Sequence, residues 1–364
     1  SNMQWVVNNV TNAEVEKKNA NYSQIRTLNI PRRMELSPKD TISTTWLVCS
    51  PETVGRFSGV AYFFARKVYE ETNIPIGIIN SSWGGTIVET WTSLEAANTL
   101  PQKRLDRYNK NEKLSPPTEY FTRTNKEAKR NDYPSLVYNA MIHPLLSFAI
   151  KGVVWYQGEN NVGNAEPYTD WLTCMISDWR NRWNSELPFY IIQLPNFDST
   201  NKTPLWAEIR DAQRKVLTVP KTHLIVTSDL GDPHDLHPRN KQEVGMRVAL
   251  QVLHHEYGRP DIVSESPMFE RMEINGDKII ITFKNTGSGL EIRSRYGCLQ
   301  GFTIAGEDKK FYWAQGELKD NRIVIWNPKV PNPIAVRYNW ENNPDGNLYN
   351  KDGLPACLFR TDNW

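Results

Sequence analysis

The 364-residue sequence lacks several features that would place it in a class of protein at once. No apolar run approaches the roughly 20 residues that cross a bilayer, so we expect no membrane insertion. Neither sign of charge dominates, because 43 Lys and Arg residues stand against 41 Asp and Glu residues and leave a net charge of +2. With no basic excess, the sequence predicts no nucleic-acid partner.

Cysteine is scarce, and the four cysteines lie far apart: Cys49, Cys174, Cys298 and Cys357. No CxxC pair is present, which argues against a structural zinc site and against a disulfide scaffold. Whether one or two disulfides form is left open by the sequence. Aromatic residues are frequent, with 13 Trp and 15 Tyr. Flat tryptophan faces pack on sugar rings, although most large aromatic residues belong to cores.

Four short apolar runs rich in β-branched residues predict a parallel sheet. They cover residues 75–81, 151–157, 187–193 and 223–229. Runs of this length are typical of strands buried on both faces. Predicted helices alternate with them, at residues 55–72, 134–149, 168–183, 207–216 and 240–257. The alternation predicts a doubly wound α/β domain over residues 1–264.

The sequence pattern changes after residue 264, and residues 265–364 predict a small C-terminal all-β module. A turn at Asn275, Gly276 and Asp277 joins two short alternating segments within residues 272–283, which is a strong hairpin signal. Further short strands are predicted at residues 301–304, 310–313, 322–326 and 335–338.

Two loops that follow predicted strands contain polar groups suited to hydrogen bonding. Ligands of open α/β sheets bind at the carboxyl ends of the strands. Gly84 and Gly85 follow the strand at 75–81, and paired glycines let backbone N–H groups approach a ligand closely. Glu159 lies with several amide side chains after the strand at 151–157, where polar groups are costly to desolvate unless they are used.

A third loop carries the residues that suggest acid–base chemistry. His234, Asp235 and His237 lie together at the entry to a helix, after the strand at 223–229. A carboxylate near an imidazole at a strand end is typical of general acid–base sites. The same residues could bind a metal, but no second ligand cluster accompanies them, so we expect no metal.

An acid–imidazole pair requires a nucleophile, and the sequence contains no Gly-x-Ser-x-Gly elbow. Ser81 and Ser82 lie in the double-glycine loop, whose more natural role is hydrogen-bond donation. By elimination the serine comes from the end of a first strand, and Ser1 stands where that strand would stop. The alternative is that Ser1 and Asn2 are the remnant of a cleaved tag before Met3.

An ordered set of segments gives this sequence a family resemblance. The segments are residues 1–5, 57–64, 77–86, 138–144, 155–160, 235–242, 335–340 and 353–362. In these segments the chain resembles the bacterial sialate O-acetylesterase-like branch of the SGNH (GDSL-type) hydrolases. The resemblance implies an SGNH/flavodoxin-like fold and, in the full family pattern, a Gly-Gln pair, a first strand and an N-terminal β domain before Ser1. We therefore expect weak activity from the chain as given.

The resemblance implies a role for each catalytic residue. Ser1 corresponds to the nucleophile and His237 to the general base. Asp235 is the expected triad acid, although it lies two residues before His237 rather than three, and a Ser–His dyad oriented by a backbone carbonyl is the alternative. Gly85, in preference to Gly84, corresponds to a backbone donor of the oxyanion hole.

The resemblance implies that the segment at residues 155–160 completes the oxyanion hole with an amide. Gln157 is favoured over Asn160 for that part. Trp83, Glu159 and Arg239 are expected to contact the substrate, and so is Trp155. Packing is an equal alternative for Arg239 and the two tryptophans.

The resemblance implies a serine esterase that removes O-acetyl groups from sugars through an acetyl-enzyme, without metal or cofactor. Its expected partner is an acetylated carbohydrate, and its expected location is periplasmic or secreted. Two alternatives remain: a non-catalytic carbohydrate-binding protein on an esterase scaffold, and an acetyl xylan esterase. An N-terminal-nucleophile amidohydrolase is a third class, which the whole-chain resemblance disfavours.

Overall fold

The computed structural model describes residues 1–116, 132–198 and 203–364. The chain divides into two compact units. The first consists of Ser1–Ile192, Ala212–His223 and His237–Ala249, and the second of Gln193–Asp211, Leu224–Leu236 and Leu250–Trp364. In the described residues every helix is too short or too polar to span a bilayer. The four cysteines, all of them described, are free thiols.

Two three-stranded sheets with parallel pairs occur in the N-terminal two thirds of the chain. Their strands are β1 (Tyr22–Asn29), β2 (Trp46–Cys49), β3 (Ile76–Asn80), β4 (Val153–Trp155), β5 (Phe189–Ile192) and β6 (Thr222–Ile225). One sheet has the order β2-β1-β3, in which β1 is parallel to β3 and antiparallel to β2. The other has the order β4-β5-β6, in which β4 and β5 are parallel.

Seven α-helices are described, two of them single turns. They are α1 (Ala13–Lys18), α2 (Gly59–Thr72), α3 (Leu94–Ala97), α4 (Gln102–Leu105), α5 (Ala165–Trp183), α6 (Leu205–Lys215) and α7 (Lys241–Glu256). Helix α2 begins where the Ser58 hydroxyl accepts a hydrogen bond from the Ala61 N–H, and it ends at Asn73 in the left-handed conformation.

The first unit has a core formed where the sheet of β1–β3 meets α2. Apolar side chains of these elements and of the turns beside them are buried there: Val7, Val10, Ala20, Ile25, Cys49, Val54, Phe57, Tyr62, Phe63, Ala65 and Ile78. The α2 members recur at helical spacing, which turns one face of the helix toward the sheet. Cys49, in β2, is buried in this core.

The C-terminal part of the chain forms antiparallel sheets. The strands are β7 (Met268–Asn275), β8 (Lys278–Lys284), β9 (Leu290–Ile292), β10 (Phe302–Ala305), β11 (Phe311–Trp313), β12 (Gln315–Lys319), β13 (Arg322–Trp326), β14 (Ala335–Tyr338), β15 (Leu348–Asn350) and β16 (Phe359–Arg360). They form sheets of order β12-β13-β8-β7, β11-β10-β14-β16 and β15-β9. The predicted hairpin is confirmed as β7 and β8, which turn at Gly276 with φ +62°.

The structure therefore confirms the mixed α/β class and the C-terminal antiparallel region. All four predicted apolar strands are present, in shortened form. The predicted helix at 134–149 is shorter and irregular: residues 136–137 are α-helical, and a π-helical turn at Tyr138–Ile142 then passes into a 3₁₀ turn at His143–Leu145. Pro144 lies in that 3₁₀ turn and has no N–H to continue a helix. A boundary at residue 264 stays a prediction.

Candidate functional site

The candidate site lies at the carboxyl ends of β1 and β3. Asn29 and Asn80 are the last residues of these two strands, and they are in register. The Asn80 side chain donates to Asn29 Oδ1 at 3.0 Å, and the Ser82 hydroxyl donates to Asn80 Oδ1 at 2.8 Å. All three residues line a cavity of about 560 Å³. The polar edge of this sheet is thus open to a ligand, as expected for parallel strands.

Ser1 and His237 both line this cavity, together with Trp5. The His237 imidazole stacks on the Trp5 indole, with ring centroids 5.0 Å apart and an angle of 12° between the planes. The indole N–H of Trp5 donates to the Asn9 carbonyl at 2.9 Å, which holds the ring in place. The predicted nucleophile and the predicted base therefore share one cavity, and an aromatic face orients the base.

The segment that carries Ser1 is attached to the first turn of α2. The buried Ser58 hydroxyl donates to the Met3 carbonyl at 2.6 Å, and the Gly59 N–H donates to the Trp5 carbonyl at 2.7 Å. The same Ser58 oxygen caps the helix by accepting from the Ala61 N–H. One side chain thus serves both as helix cap and as anchor for the nucleophile segment.

A buried charged network surrounds Asn2, the residue after Ser1. Asn2 and Lys241 are 0% exposed. The Lys241 ammonium donates to Asn2 Oδ1 at 2.6 Å, and the Asn2 amide donates to Glu159 Oε1 at 2.7 Å. Opposite charges therefore bind the two ends of one side chain. Glu159, expected to contact substrate, has a structural partner in this network.

Gly84 packs directly against Ser1. A Cβ atom at Gly84 would lie 2.9 Å from Ser1 Cβ, so no larger residue fits there without displacement. The Gly84 N–H donates to Gln4 Oε1 at 2.8 Å and is thereby engaged. Gly85 is exposed and has φ +80°, a conformation that favours glycine. The role of Gly85 as a backbone donor of the oxyanion hole stays a prediction.

Gln157 and Asn160, the two amide side chains at the loop after β4, differ in their hydrogen bonds and in their exposure. Gln157 is buried, and its amide nitrogen donates to the Thr86 carbonyl at 2.9 Å and to Asn161 Oδ1 at 2.8 Å. Both of its N–H groups are then engaged. Asn160 is exposed and donates one N–H to the Gly85 carbonyl at 2.5 Å. The geometry therefore favours Asn160 as the amide of an oxyanion hole, whereas the sequence favoured Gln157.

A buried carboxyl group is hydrogen-bonded to this loop. Glu89 is 2% exposed and accepts from the Asn161 amide at 2.9 Å. Asn161 in turn accepts from the Val88 N–H at 3.1 Å. Burial raises the pKa of Glu89, against the opposing effect of the Asn161 hydrogen bond. The network fixes the segment of Gln157 against the segment that follows the paired glycines.

Trp83, Trp155 and Arg239 differ in how far they are buried and in what they contact. Trp83 is half-buried, and its carbonyl accepts from the Thr86 hydroxyl at 2.8 Å. Trp155 is buried in the core, edge-to-face with Trp91 at 6.0 Å, which matches the packing alternative. Arg239 is exposed, and its carbonyl accepts from the Thr11 N–H at 3.1 Å. Substrate contact by Trp83 and Arg239 stays a prediction.

The predicted triad acid belongs to the second unit. Asp235 is half-buried in a turn where its N–H donates to the Asp232 carbonyl at 3.3 Å. His234, which occupies the position three before His237, is exposed. The role of Asp235 as orienter of the base stays a prediction.

Several residues of the site escaped the sequence analysis. Trp5 and Lys241 lie within segments that carry the family resemblance. Nothing in the neighbouring sequence indicates that Trp5 stacks on His237 or that Lys241 is buried. Arg32 and Arg56 are exposed and line the cavity. No sequence signal identified them: Arg32 lies within the irregular segment that follows β1, and Arg56 is the last residue of a 3₁₀ turn.

A serine and an imidazole that line one cavity at strand ends are groups that a serine hydrolase uses. Comparison with known proteins agrees with this class. A family model described as carbohydrate esterase, sialic acid-specific acetylesterase matches residues 1–254. The chain belongs to this family.

Curated relatives include the sialate O-acetylesterases of Pongo abelii and Homo sapiens, each 31% identical over 310 residues, or 76% of this chain. The chain spans 56% of the length of each of those proteins. A solved structure of a carbohydrate acetylesterase from Xanthomonas citri is similar with a TM-score of 0.88 and 36% identity. That similarity covers 100% of this chain and 79% of the solved chain.

Proposed function

We propose that this chain carries the active site of a serine esterase that removes O-acetyl groups from sugars. The observation that carries the proposal is the single cavity lined by both Ser1 and His237. In the proposed reaction Ser1 Oγ attacks the acetyl carbonyl while His237 accepts its proton. The sugar hydroxyl leaves with that proton, and water then hydrolyses the acetyl-serine ester to acetate.

The proposed oxyanion hole combines the Gly85 N–H with the Asn160 amide. Asn160 already donates to the Gly85 carbonyl, so one hydrogen bond sets the position of both groups. Removing one such donor in comparable enzymes lowers transition-state stabilisation by about 2.7–4 kcal/mol. Gly84 contributes by admitting Ser1 at close range rather than by donating.

Two finer parts of the proposal rest on the family resemblance. We infer that the two three-stranded sheets belong to one SGNH-type doubly wound arrangement, and that Asp235 orients His237. A periplasmic or secreted location is proposed on the same basis. The Trp5–His237 stack supports a well-oriented base whether the third group is Asp235 or a backbone carbonyl.

Charge in the cavity favours an anionic sugar as substrate. Arg32 and Arg56 line it, and no carboxylate is among the described residues that do so. Arginine binds carboxylates through paired N–H groups, whereas a neutral xylan chain offers no such group. Relatives named sialate O-acetylesterase agree with an acetylated sialic acid, which carries a carboxylate.

The test is acetate release from O-acetylated sialic acid and from acetylated xylan. We expect turnover of the sialic acid ester that is abolished in Ser1→Ala and His237→Ala. Replacement of both Arg32 and Arg56 by Ala should raise KM about tenfold, since each exposed pair is worth at most about 1 kcal/mol. Arg26→Ala, an exposed arginine of β1, is the matched control.

Three results would contradict the proposal. Sugar binding without acetate release would indicate a non-catalytic binding protein. Faster turnover of acetylated xylan, unaffected by the arginine replacements, would indicate an acetyl xylan esterase. Activity that survives Ser1→Ala would remove Ser1 from the mechanism.

A further inference from the structure

The β11-β10-β14-β16 sheet of the second unit presents a row of side chains on one face. Trp313 pairs with Thr303, and Thr303 pairs with Arg337. Directly opposed residues of antiparallel strands point to the same side of a sheet. The three side chains therefore lie side by side across β11, β10 and β14.

This row lies on the face opposite the core. The alternating residues Phe302, Ile304, Val336 and Tyr338 are all buried in the apolar cluster of the second unit. Trp313, by contrast, is 56% exposed. Its carbonyl accepts from the Asn327 side chain at 2.7 Å, so its backbone is fixed beyond the strand pairing. An exposed tryptophan thus sits on a rigid base.

Arg337 is held rigidly beside it. The guanidinium donates to both oxygens of Asp362, at 2.9 and 2.6 Å, and it lies 3.9 Å from the centre of the Phe311 ring. The charge of Arg337 is thereby balanced by a buried carboxylate. Arg337 contributes a flat wall rather than a free positive charge.

The turn after β14 completes a small cavity of about 170 Å³ over this row. Trp340, Glu341 and Asp345 line it together with Trp313 and Thr303. Asn339 holds the turn, since its Oδ1 accepts from the Gly346 N–H at 3.0 Å. Desolvation, and then the charge of Asp345, raise the pKa of Glu341, so the two carboxyl groups act on each other.

We infer that this cavity is a second carbohydrate-binding site, separate in its residues from the catalytic cavity and specific for a neutral sugar ring. The apolar face of the ring packs on the Trp313 indole. Ring hydroxyls donate to Glu341 and Asp345 and exchange a hydrogen bond with Thr303. The two carboxylates repel anionic sugars, so the site selects a different class from the one proposed for the cavity of Ser1.

Binding of neutral disaccharides by the full chain tests this inference. Lactose, cellobiose and xylobiose are added to the Ser1→Ala variant, and binding is followed by saturation-transfer NMR and calorimetry. We expect at least one of them to bind with a Kd near 1 mM, a usual value for a single stacked ring with a few hydrogen bonds. Glucuronic acid should give no transfer that depends on Trp313.

Variants locate the binding. Trp313→Ala should weaken it at least about tenfold, a loss of about 1.4 kcal/mol or more. Trp46→Ala is the matched control, because Trp46 is also exposed, at 38%, and lies in the first unit. Glu341→Gln with Asp345→Asn should weaken neutral sugars and remove the discrimination against glucuronic acid.

A second aromatic variant separates binding from folding. Trp313→Phe keeps a stacking surface and should retain measurable binding, with a thermal unfolding midpoint equal to that of the parent. Absence of binding by all three disaccharides would overturn the inference. So would binding that is unchanged in Trp313→Ala, since the sugar would then occupy another part of the chain.

Discussion

Replacing Gly84 by Ala tests the tight packing around the nucleophile. The new Cβ would lie 2.9 Å from Ser1 Cβ and 3.2 Å from Ser1 Cα. Carbon atoms in contact prefer about 3.5–4.0 Å, so Ser1 and residue 84 must separate by about 0.6–1.1 Å. The Gly84 N–H is bonded to Gln4, which resists movement of the glycine backbone. We therefore expect Ser1 to move.

The expected effect falls mainly on kcat. A shift of about 1 Å in a reacting group can lower the rate about 100-fold, which corresponds to about 2.7 kcal/mol of activation free energy. Substrate contacts by Arg32 and Arg56 are untouched, so KM should change little. The assay is steady-state acetate release, with the unfolding midpoint measured in parallel.

Gly77→Ala is the matched control for this substitution. Gly77 lies in β3, and an added Cβ there would have its nearest neighbour, in the Trp46 ring, at an ordinary 3.4 Å. It should keep the parent kcat. The reasoning is refuted if Gly84→Ala also keeps it, or if both variants lose activity to the same extent.

Three further predictions concern the buried network, the amide donors and pH. Lys241→Met should lower the free energy of unfolding by about 3 kcal/mol, since it removes the buried cation that donates to Asn2 and balances the Glu159 carboxylate. Lys67→Met, from a helix-surface pair, should lower it by about 0.5 kcal/mol or less, and urea unfolding measures both. Asn160→Ala should lower kcat about 100-fold or more with little change in melting temperature. Gln157→Ala should lower the melting temperature, because buried carbonyl groups lose their hydrogen-bond donor. The opposite pattern would restore Gln157 as the oxyanion donor. Burial raises the pKa of Glu89 above its ordinary 4.5. The contribution of this carboxyl group to stability is therefore complete below pH 4.5 and declines as pH rises toward the folded-state pKa. Between those two pH values the parent should lose about 1.4 kcal/mol per pH unit relative to Glu89→Gln, measured as a difference in urea midpoints.

Elements with strong local signals were predictable from sequence, and those without were not. The β7–β8 hairpin was found because an Asn-Gly-Asp turn separates alternating residues. Strand β1 was missed, because Ser23, Gln24, Arg26 and Thr27 interrupt any apolar run. Its buried residues are Ile25, Thr27 and Leu28, and its hydrogen bonds to β2 on one side and β3 on the other stabilise it as a strand.

The features of the site likewise fall into those that the sequence could predict and those that it could not. Ser1 and His237 could be proposed from the sequence because they lie in segments that carry the family resemblance. The stack of Trp5 on His237 could not, since it depends on contacts between residues far apart in the chain. The hydrogen bonds that engage both N–H groups of the buried Gln157 amide could not be predicted either, since their partners lie in other segments.

The double use of the Ser58 hydroxyl links catalysis to the fraying of a helix end. The first turn of a helix opens at lower free energy than the whole protein unfolds. Each opening of α2 at Ser58 releases the Met3 carbonyl and with it the segment of Ser1. We therefore expect activity on heating to fall before the cooperative melt and to return on cooling, as a reversible local event.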